Sequence, residues 1–457
     1  MARSLPSLSL FSNCGAGDAG YARAGFEFGV MAELDDRRLH VALLNHRSAT
    51  GVPGDLRETW PETVSAHRQL FGGTAPALLA ACPPCQGMSS ARGRRGSETD
   101  AVAGSRDHRN LLVDVIADVA ETLSPRVVVV ENVQAFLTRL VKHPRTGEPV
   151  TAALLLLDRL DSDYRVFPFL TDLADYGVPQ RRVRSFLTFV RRGELGLDLL
   201  DDTGRIPYPR PTSPPDSVEG HMTLREALAR LAAAPLDAKS ADLARDRDDP
   251  LHFVPVWGDD HRYSMVSAIP SGSGQGAWGN MVCGPCGDVD VGPDDAACPL
   301  CGGPLSRPVV READGTFRLA RGFRASSYSR MRADVPAATV TTASGHVGSD
   351  LTVHPFENRV LSPRECAYLQ TFPDEFDWGD SIERWGPTNV RAMIGEAVPP
   401  RFTELHGRVV RGILEGSGSV PLASVDDPRT RRASDRLDRT RQRGSRASRR
   451  AQAHVGD

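Results

Sequence analysis

Short apolar runs of five to seven residues recur through the first part of the chain, at 5–11, 27–32, 77–81, 126–130, 164–170 and 184–190. Between them lie stretches with helical spacing at 18–24, 36–45, 111–123 and 151–160. Strands alternating with helices in this way predict an α/β fold built on an open parallel sheet. Past residue 191 the pattern lapses, and Pro207, Pro209, Pro211, Pro214 and Pro215 mark a loop. Thr223 and Glu226 have capping-box spacing and open a short helix. Residues 235–335 are polar and irregular, and periodicity returns over 336–415, with helices expected at 363–369 and 400–414. No internal repeat is present. The expected division is 1–192, 193–335, 336–416, which rejoins the first part, and 417–457.

At 457 residues the chain exceeds one typical domain, and its 40% hydrophobic and 25% charged content is that of a soluble globular protein. No run approaches the roughly 18 apolar residues of a membrane span. The N-terminus lacks a signal-peptide core, so a cytoplasmic protein is expected. The net charge of −3 hides a division, because 429–450 is dense in arginine among Ser, Thr, Ala and Asp. A segment with so few apolar residues cannot bury enough surface to fold alone, so 417–457 is expected to be a disordered tail. A non-specific phosphate-binding arm is the sharper alternative.

Four of the eight cysteines, Cys283, Cys286, Cys298 and Cys301, form two Cys-x-x-Cys knuckles amid Gly and Pro. That spacing suits a tetrahedral thiolate zinc site. The alternatives are disulfides, which a cytosolic chain disfavours, and a ribbon that no longer binds metal.

Candidate chemistry collects where strands end. The run at 77–81 leads into Cys82-Pro83-Pro84-Cys85-Gln86, where two prolines stiffen the turn and aim Cys85 as a possible nucleophile. Cys82 is assigned to the core. The valines at 127–130 are closed by Glu131, a carboxylate that core packing explains poorly. The first strand runs into Phe11-Ser12-Asn13-Cys14-Gly15-Ala16-Gly17, whose glycines let a ligand approach the backbone at a helix start. Glu33, closing the second strand, is placed to accept ribose hydroxyls, and Asp55 to read an adenine amino group. With no Gly-Lys-Ser/Thr sequence, a P-loop nucleotidase is disfavoured. Arg182 and Arg184 fall on one side of an entering strand and offer permanent charge to the same crevice.

In order and spacing, Phe11-Ser12-x-x-Gly15-x-Gly17, Pro83-Pro84-Cys85-Gln86, Glu131-Asn132-Val133, Gln180-x-Arg182-x-Arg184, Arg359-x-Leu361-Ser362-Pro363-Arg364-Glu365 and Gly395-Glu396-Ala397-Val398 resemble the motifs of DNA (cytosine-5) methyltransferases. The likeness covers about 1–190 and 336–415. Two positions depart from the family pattern: Ser9 stands where an acid is frequent, and Glu396 where asparagine is usual.

The resemblance implies a Rossmann-like sheet that binds S-adenosyl-L-methionine, with a smaller, irregular target-recognition domain. It implies that Cys85 adds to C6 of a flipped cytosine in double-stranded DNA. Glu131 would act at N3, and Arg184 at O2, with Arg182 also placed in the catalytic set. Phe11, Gly15, Gly17, Glu33, Asp55 and Pro83 would hold the cofactor. Gln86, Arg92, Arg94 and Arg95 would contact DNA from a closing loop, for which a merely exposed loop is the alternative. The cysteine cluster falls in the target-reading region and would be structural, since four thiolates leave zinc no open position. A bacterial or phage modification enzyme is expected, monomeric, with or without a cognate restriction endonuclease. A tRNA methyltransferase of the same fold and a silent DNA-binding relative are the rivals.

Overall fold

The computed structural model describes residues 4–84, 108–143, 146–147, 149–214, 217, 219–258, 260–287, 289–417 and 420–453, with 441–453 as backbone only. Its core strands are β1 (Leu5–Leu10), β2 (Phe26–Glu33), β3 (Thr50–Pro53), β4 (Leu78–Ala81) and β5 (Val127–Val133). After a short hairpin, β6 (Leu140–Lys142) and β7 (Pro149–Thr151), come β8 (Tyr164–Asp172) and β9 (Val183–Arg191). Seven of these form one sheet in the order β3-β2-β1-β4-β5-β9-β8.

Strands β1 to β5 are mutually parallel, as the alternating pattern predicts. Strand β9 departs from that expectation and runs antiparallel to both β5 and β8. Only a 3-10 turn, Leu173–Tyr176, and a few residues separate β8 from β9. That is too little chain for a helical crossover, so the strand can only fold back.

Both sheet faces are covered, which is why β5 reads as unbroken valine. On one face α3 (Leu56–Phe71), α4 (Val113–Leu123) and α5 (Ala152–Leu160) bring Val64, Ile116, Val119 and Leu156 onto β1, β4 and β5. On the other, α1 (Ala16–Arg23) and α2 (Asp36–Asn45) are joined by two helices from far along the chain, α6 (Pro387–Glu396) and α7 (Pro400–Glu415). Helices α1 and α7 touch through glycine: a Cβ on Gly20 would stand 2.0 Å from Thr403 Oγ1. The irregular region shares a small core with the segment that follows it, Trp257 and Val266 packing on Val347, Val353 and Val360. Among its buried residues, Arg330 donates to the carbonyls of Ile269, His354 and Val266, taking the place of regular backbone pairing.

The arginine-rich tail is not the disordered segment expected. It forms α8, Pro428–Ala453. Two apolar residues one turn apart, Ala433 and Leu437, enter the main core. The first turn is fixed by a buried ion pair, Arg429 Nε to Asp175 Oδ2 at 2.8 Å. His221 Nε2 lies 2.9 Å from the other Asp175 oxygen. Composition alone could not show that Asp175, from the turn after β8, supplies this anchor.

Removing the carboxylate charge would take from buried Arg429 its better-buried ionic partner and leave it only Asp427, at a cost of about 1–3 kcal/mol. Asp175→Asn is therefore expected to lower the midpoint of chemical unfolding and to open 428–440 to proteolysis. Wild-type stability and protection would show that another contact holds the helix.

Candidate functional site

The candidate site is built on the edge of the sheet where β1, β4 and β5 end. After Leu10 the backbone turns sharply, with left-handed φ at Phe11 (57°), Asn13 (50°) and Gly15 (75°). Gly15 is required twice: by that φ, and because a Cβ there would lie 2.9 Å from the His46 ring. Gly17 lets the segment between α6 and α7 close in, since a Cβ would meet Val398 at 3.3 Å. Beyond the turn, α1 starts directly, so its first amides face the crevice.

This crevice contains a partly open cavity lined by Phe11, Asn13, Gly17, Asp18, Cys82 and Glu131, among others. Its far wall, Glu396-Ala397-Val398, comes from the end of α6. Arg182 holds that wall. It is buried and donates to the carbonyls of Val340 (3.2 Å), Gly395 (3.1 Å) and Ala397 (2.9 Å). Arg182 was expected among the catalytic groups, but it does not line the cavity; its donors face backbone carbonyls, so it positions the wall. Gln180 assists by donating to Leu369 O and Gln370 Oε1.

Glu131 is the centre of the site. In the parallel β4–β5 register Ala81 pairs with Val130, so the next residues, Cys82 and Glu131, come side by side. Cys82 Sγ donates to Glu131 Oε2 at 2.9 Å. Cys82 is thus only half-buried and stands on the cavity, a correction to its core assignment. Arg184, entering β9, brings Nε within 3.0 Å of Glu131 Oε1. That ion pair is misaligned for a hydrogen bond, so Oε1 is buried with no donor. Asn132 ties the two strand ends together by donating to Pro83 O at 2.9 Å. Cys85, Gln86, Arg92, Arg94 and Arg95 lie outside the described residues.

Glu33 and Asp55 sit beside the cavity, not on its wall. Glu33 accepts from the backbone amides of Asn13 (2.8 Å) and Asp35 (3.2 Å), and burial pushes its carboxyl above the usual range. Asp55 caps α3 and pairs with Arg57, while Gly54 N donates to Glu33 O and holds the two strand ends together.

Three polar groups on the cavity had no role in the sequence reading. Asn13 Oδ1 is buried without a partner, while Nδ2 donates to Met393 O. Asp18 is buried with Ser9 Oγ as its donor at 2.9 Å, and desolvation raises its pKa to about 7. Glu396 pairs with Arg38 of α2. The orphan acceptor and the buried carboxylate suit a ligand that brings N–H donors and positive charge, as S-adenosyl-L-methionine does. Asp18 also answers the departure at position 9, because the serine there donates to an acid one step inward. The Gly-rich turn contains Asp18, but the contact with Ser9 depends on how α1 sits over β1.

Far from this edge, the sulfurs of Cys283, Cys286, Cys298 and Cys301 all lie within 4.8 Å of one another. Cys283 to Cys301 is 3.5 Å and Cys286 to Cys298 is 3.7 Å. Tetrahedral Zn–S bonds of about 2.3 Å set sulfurs roughly 3.8 Å apart, so the cluster fits a structural zinc ion.

A buried acid whose folded pKa is raised contributes stability below its unfolded pKa and loses it as pH climbs through the folded value. For Asp18 that window runs from 3.8 up to about 7. Between about pH 5 and pH 8 the ligand-free protein should lose on the order of 2 kcal/mol through this group. Asp18→Asn should flatten that part of the stability–pH curve in denaturant titrations. Equal slopes would show that Asp18 ionises freely in the folded protein.

The C-5 cytosine-specific DNA methylase family pattern matches residues 5–249 and 298–410. The Type II methyltransferase M1.HgaI of Avibacterium volantium is 25% identical over 414 residues, covering 88% of this chain and 97% of its own. M.NgoFVII of Neisseria gonorrhoeae is 26% identical over 402 residues, covering 86% and 83%. Among solved structures, a prophage-encoded Escherichia coli protein described as a DNA modification methyltransferase aligns with TM-score 0.52 and 20% identity, over 90% of this chain and 100% of that one. That similarity shows a shared methyltransferase fold. With most of its length matched, and with the motif residues Glu131, Asn132 and Gly17 gathered on one sheet edge, this chain belongs to the C-5 cytosine-specific DNA methylase family.

Proposed function

We propose that the protein methylates C5 of a flipped cytosine in double-stranded DNA through a covalent bond between Cys85 and C6. The observation that supports this most is Glu131, whose side chain lines the cavity with the Cys82 thiol on Oε2 and the Arg184 guanidinium 3.0 Å from Oε1. A carboxyl so placed can meet N3 of a cytosine held in the cavity. Cytosine C5 is a poor nucleophile until a thiolate adds at C6, which pushes electron density to C5. Cys85 follows Pro83 and Pro84, the turn that Asn132 holds beside Glu131. Glu131 places a proton at N3, so the negative charge displaced by the thiolate does not build up on the ring. Arg184, paired with Glu131, keeps that carboxylate oriented and offers charge toward the base O2. Bound S-adenosyl-L-methionine supplies the methyl group in electrophilic form. Asn13, Asp18, Phe11 and Gly17 line the cavity and would hold its methionine end, while Glu33, Asp55 and Pro83, beside the cavity, would meet its nucleoside. A base then removes the C5 proton and Cys85 departs as the thiolate.

The region 193–335, stiffened by zinc on the four cysteines, reads the DNA sequence. The enzyme works as a monomer in a bacterial or phage modification system, beside a cognate restriction endonuclease or alone. Among the described residues no helix is long and apolar enough to cross a membrane.

With labelled S-adenosyl-L-methionine and duplex DNA, the wild type should label cytosine, and Cys85→Ser should abolish transfer. Glu131→Gln should slow it by on the order of 10² to 10⁴. Transfer to tRNA in place of DNA, or full activity of Cys85→Ser, would overturn the assignment. Stripping metal with a strong chelator should weaken duplex binding at least tenfold and leave cofactor affinity within twofold. The reverse pattern would place the cluster elsewhere in the mechanism.

A further inference from the structure

The family pattern ends at residue 410, and α8 lies beyond it. Over 428–453 there are ten arginines and two aspartates, a balance of +8. The whole chain sums to −3, which leaves −11 on everything else. A body with that charge repels a polyanion at long range, and α8 is by far the most positive helix among the described residues.

The helix divides cleanly by face. Arg429, Ala433, Leu437 and Thr440, spaced by three or four, are buried against the catalytic domain. Arg431 and Arg439 point to solvent at 65% and 75% side-chain exposure. Their partners Asp426 and Asp435 are also exposed, so these pairs are open to exchange for phosphate. Arg436 is half-buried, and the charges of Arg432 and Arg439 add to burial in lowering its pKa, a sign of crowded and poorly compensated positive charge. Its guanidinium lies against the Gln134 amide, in the 3-10 turn that follows β5 and Glu131. The helix is therefore docked on the turn that follows the strand bearing Glu131. At 1.5 Å per residue its 26 residues extend about 39 Å, close to one turn of duplex.

We propose that α8 is a DNA-backbone-binding element, whose outward arginines hold phosphates of the duplex flanking the target cytosine without reading its sequence. This rests on duplex DNA being the substrate. The buried face fixes the helix to the catalytic domain, so the phosphates it holds are kept in register with the cavity. Phosphate contacts position a protein on DNA and carry no base information.

The test uses the full chain, the double variant Arg431→Gln/Arg439→Gln, and a truncation after Thr440, which removes five arginines and keeps Arg429, Ala433 and Leu437. Duplex affinity is measured by fluorescence anisotropy across a salt series, together with methyl-transfer kinetics and cofactor binding. Every phosphate that the helix no longer neutralises should flatten the log K against log salt slope by about 0.9. The double variant should thus flatten it by about 2 and the truncation by more. The KM for DNA should rise at least tenfold in the truncation, with kcat, cofactor affinity and the methylated sequence unchanged. Circular dichroism and unfolding midpoints verify that both variants fold. An unchanged slope and KM in folded variants would overturn the proposal, as would a loss confined to structured RNA with duplex binding intact. If the wild type binds duplex with the expected slope changes but methylates no cytosine, the helix assignment stands and the reaction assignment fails.

Discussion

The cavity depends on the hydrogen bonds that hold the far end of the chain against the sheet. Arg182, just before β9, donates to Val340, Gly395 and Ala397, and Gln370, Asn13 and Arg38 hold Ile394, Met393 and Glu396 of the same wall. Arginine suits this work because its fork of donors is rigid and its charge permanent. The wall includes Glu396 and Val398, and Val398 packs close to Gly17. These contacts together close the wall over the Gly-rich turn.

The chemistry on this edge is a matter of which buried polar groups are satisfied. Glu131 has one oxygen paired with a thiol and the other near a guanidinium but without a true donor. Asn13 is half-satisfied in the same way. Leaving acceptors buried and incomplete costs stability, and such defects persist where a ligand completes them. Groups that serve only the fold look different: Glu365 is met by Arg359 through both oxygens, and the arginine holds its carboxyl down to about 2.

Much of the architecture was legible because it follows from local pattern. The valines of β5, the capping box at Thr223 and the proline-stiffened end of β4 each carry their meaning within a few residues. What escaped depends on contacts between distant segments. The reversal of β9 is set by how little chain separates it from β8. The role of Cys82 follows from the β4–β5 register, and Arg182 finds its partners more than 150 residues away, at a separation of 158 for Val340. Helix α8 has a composition that points to disorder, yet two apolar residues and one buried ion pair are enough to dock it.

Thr403 of α7 donates to Gly17 O in the first turn of α1, across 386 positions of sequence. The first and last parts of the catalytic domain are therefore neighbours in space. Such distant pairing carries a high loop-closure cost and slows folding. During synthesis the emerging chain must wait for residues beyond 400 before the cofactor pocket can close. Fragments that stop short of Glu396 lack both the Glu396–Val398 wall and the Thr403 contact, so their pocket is incomplete.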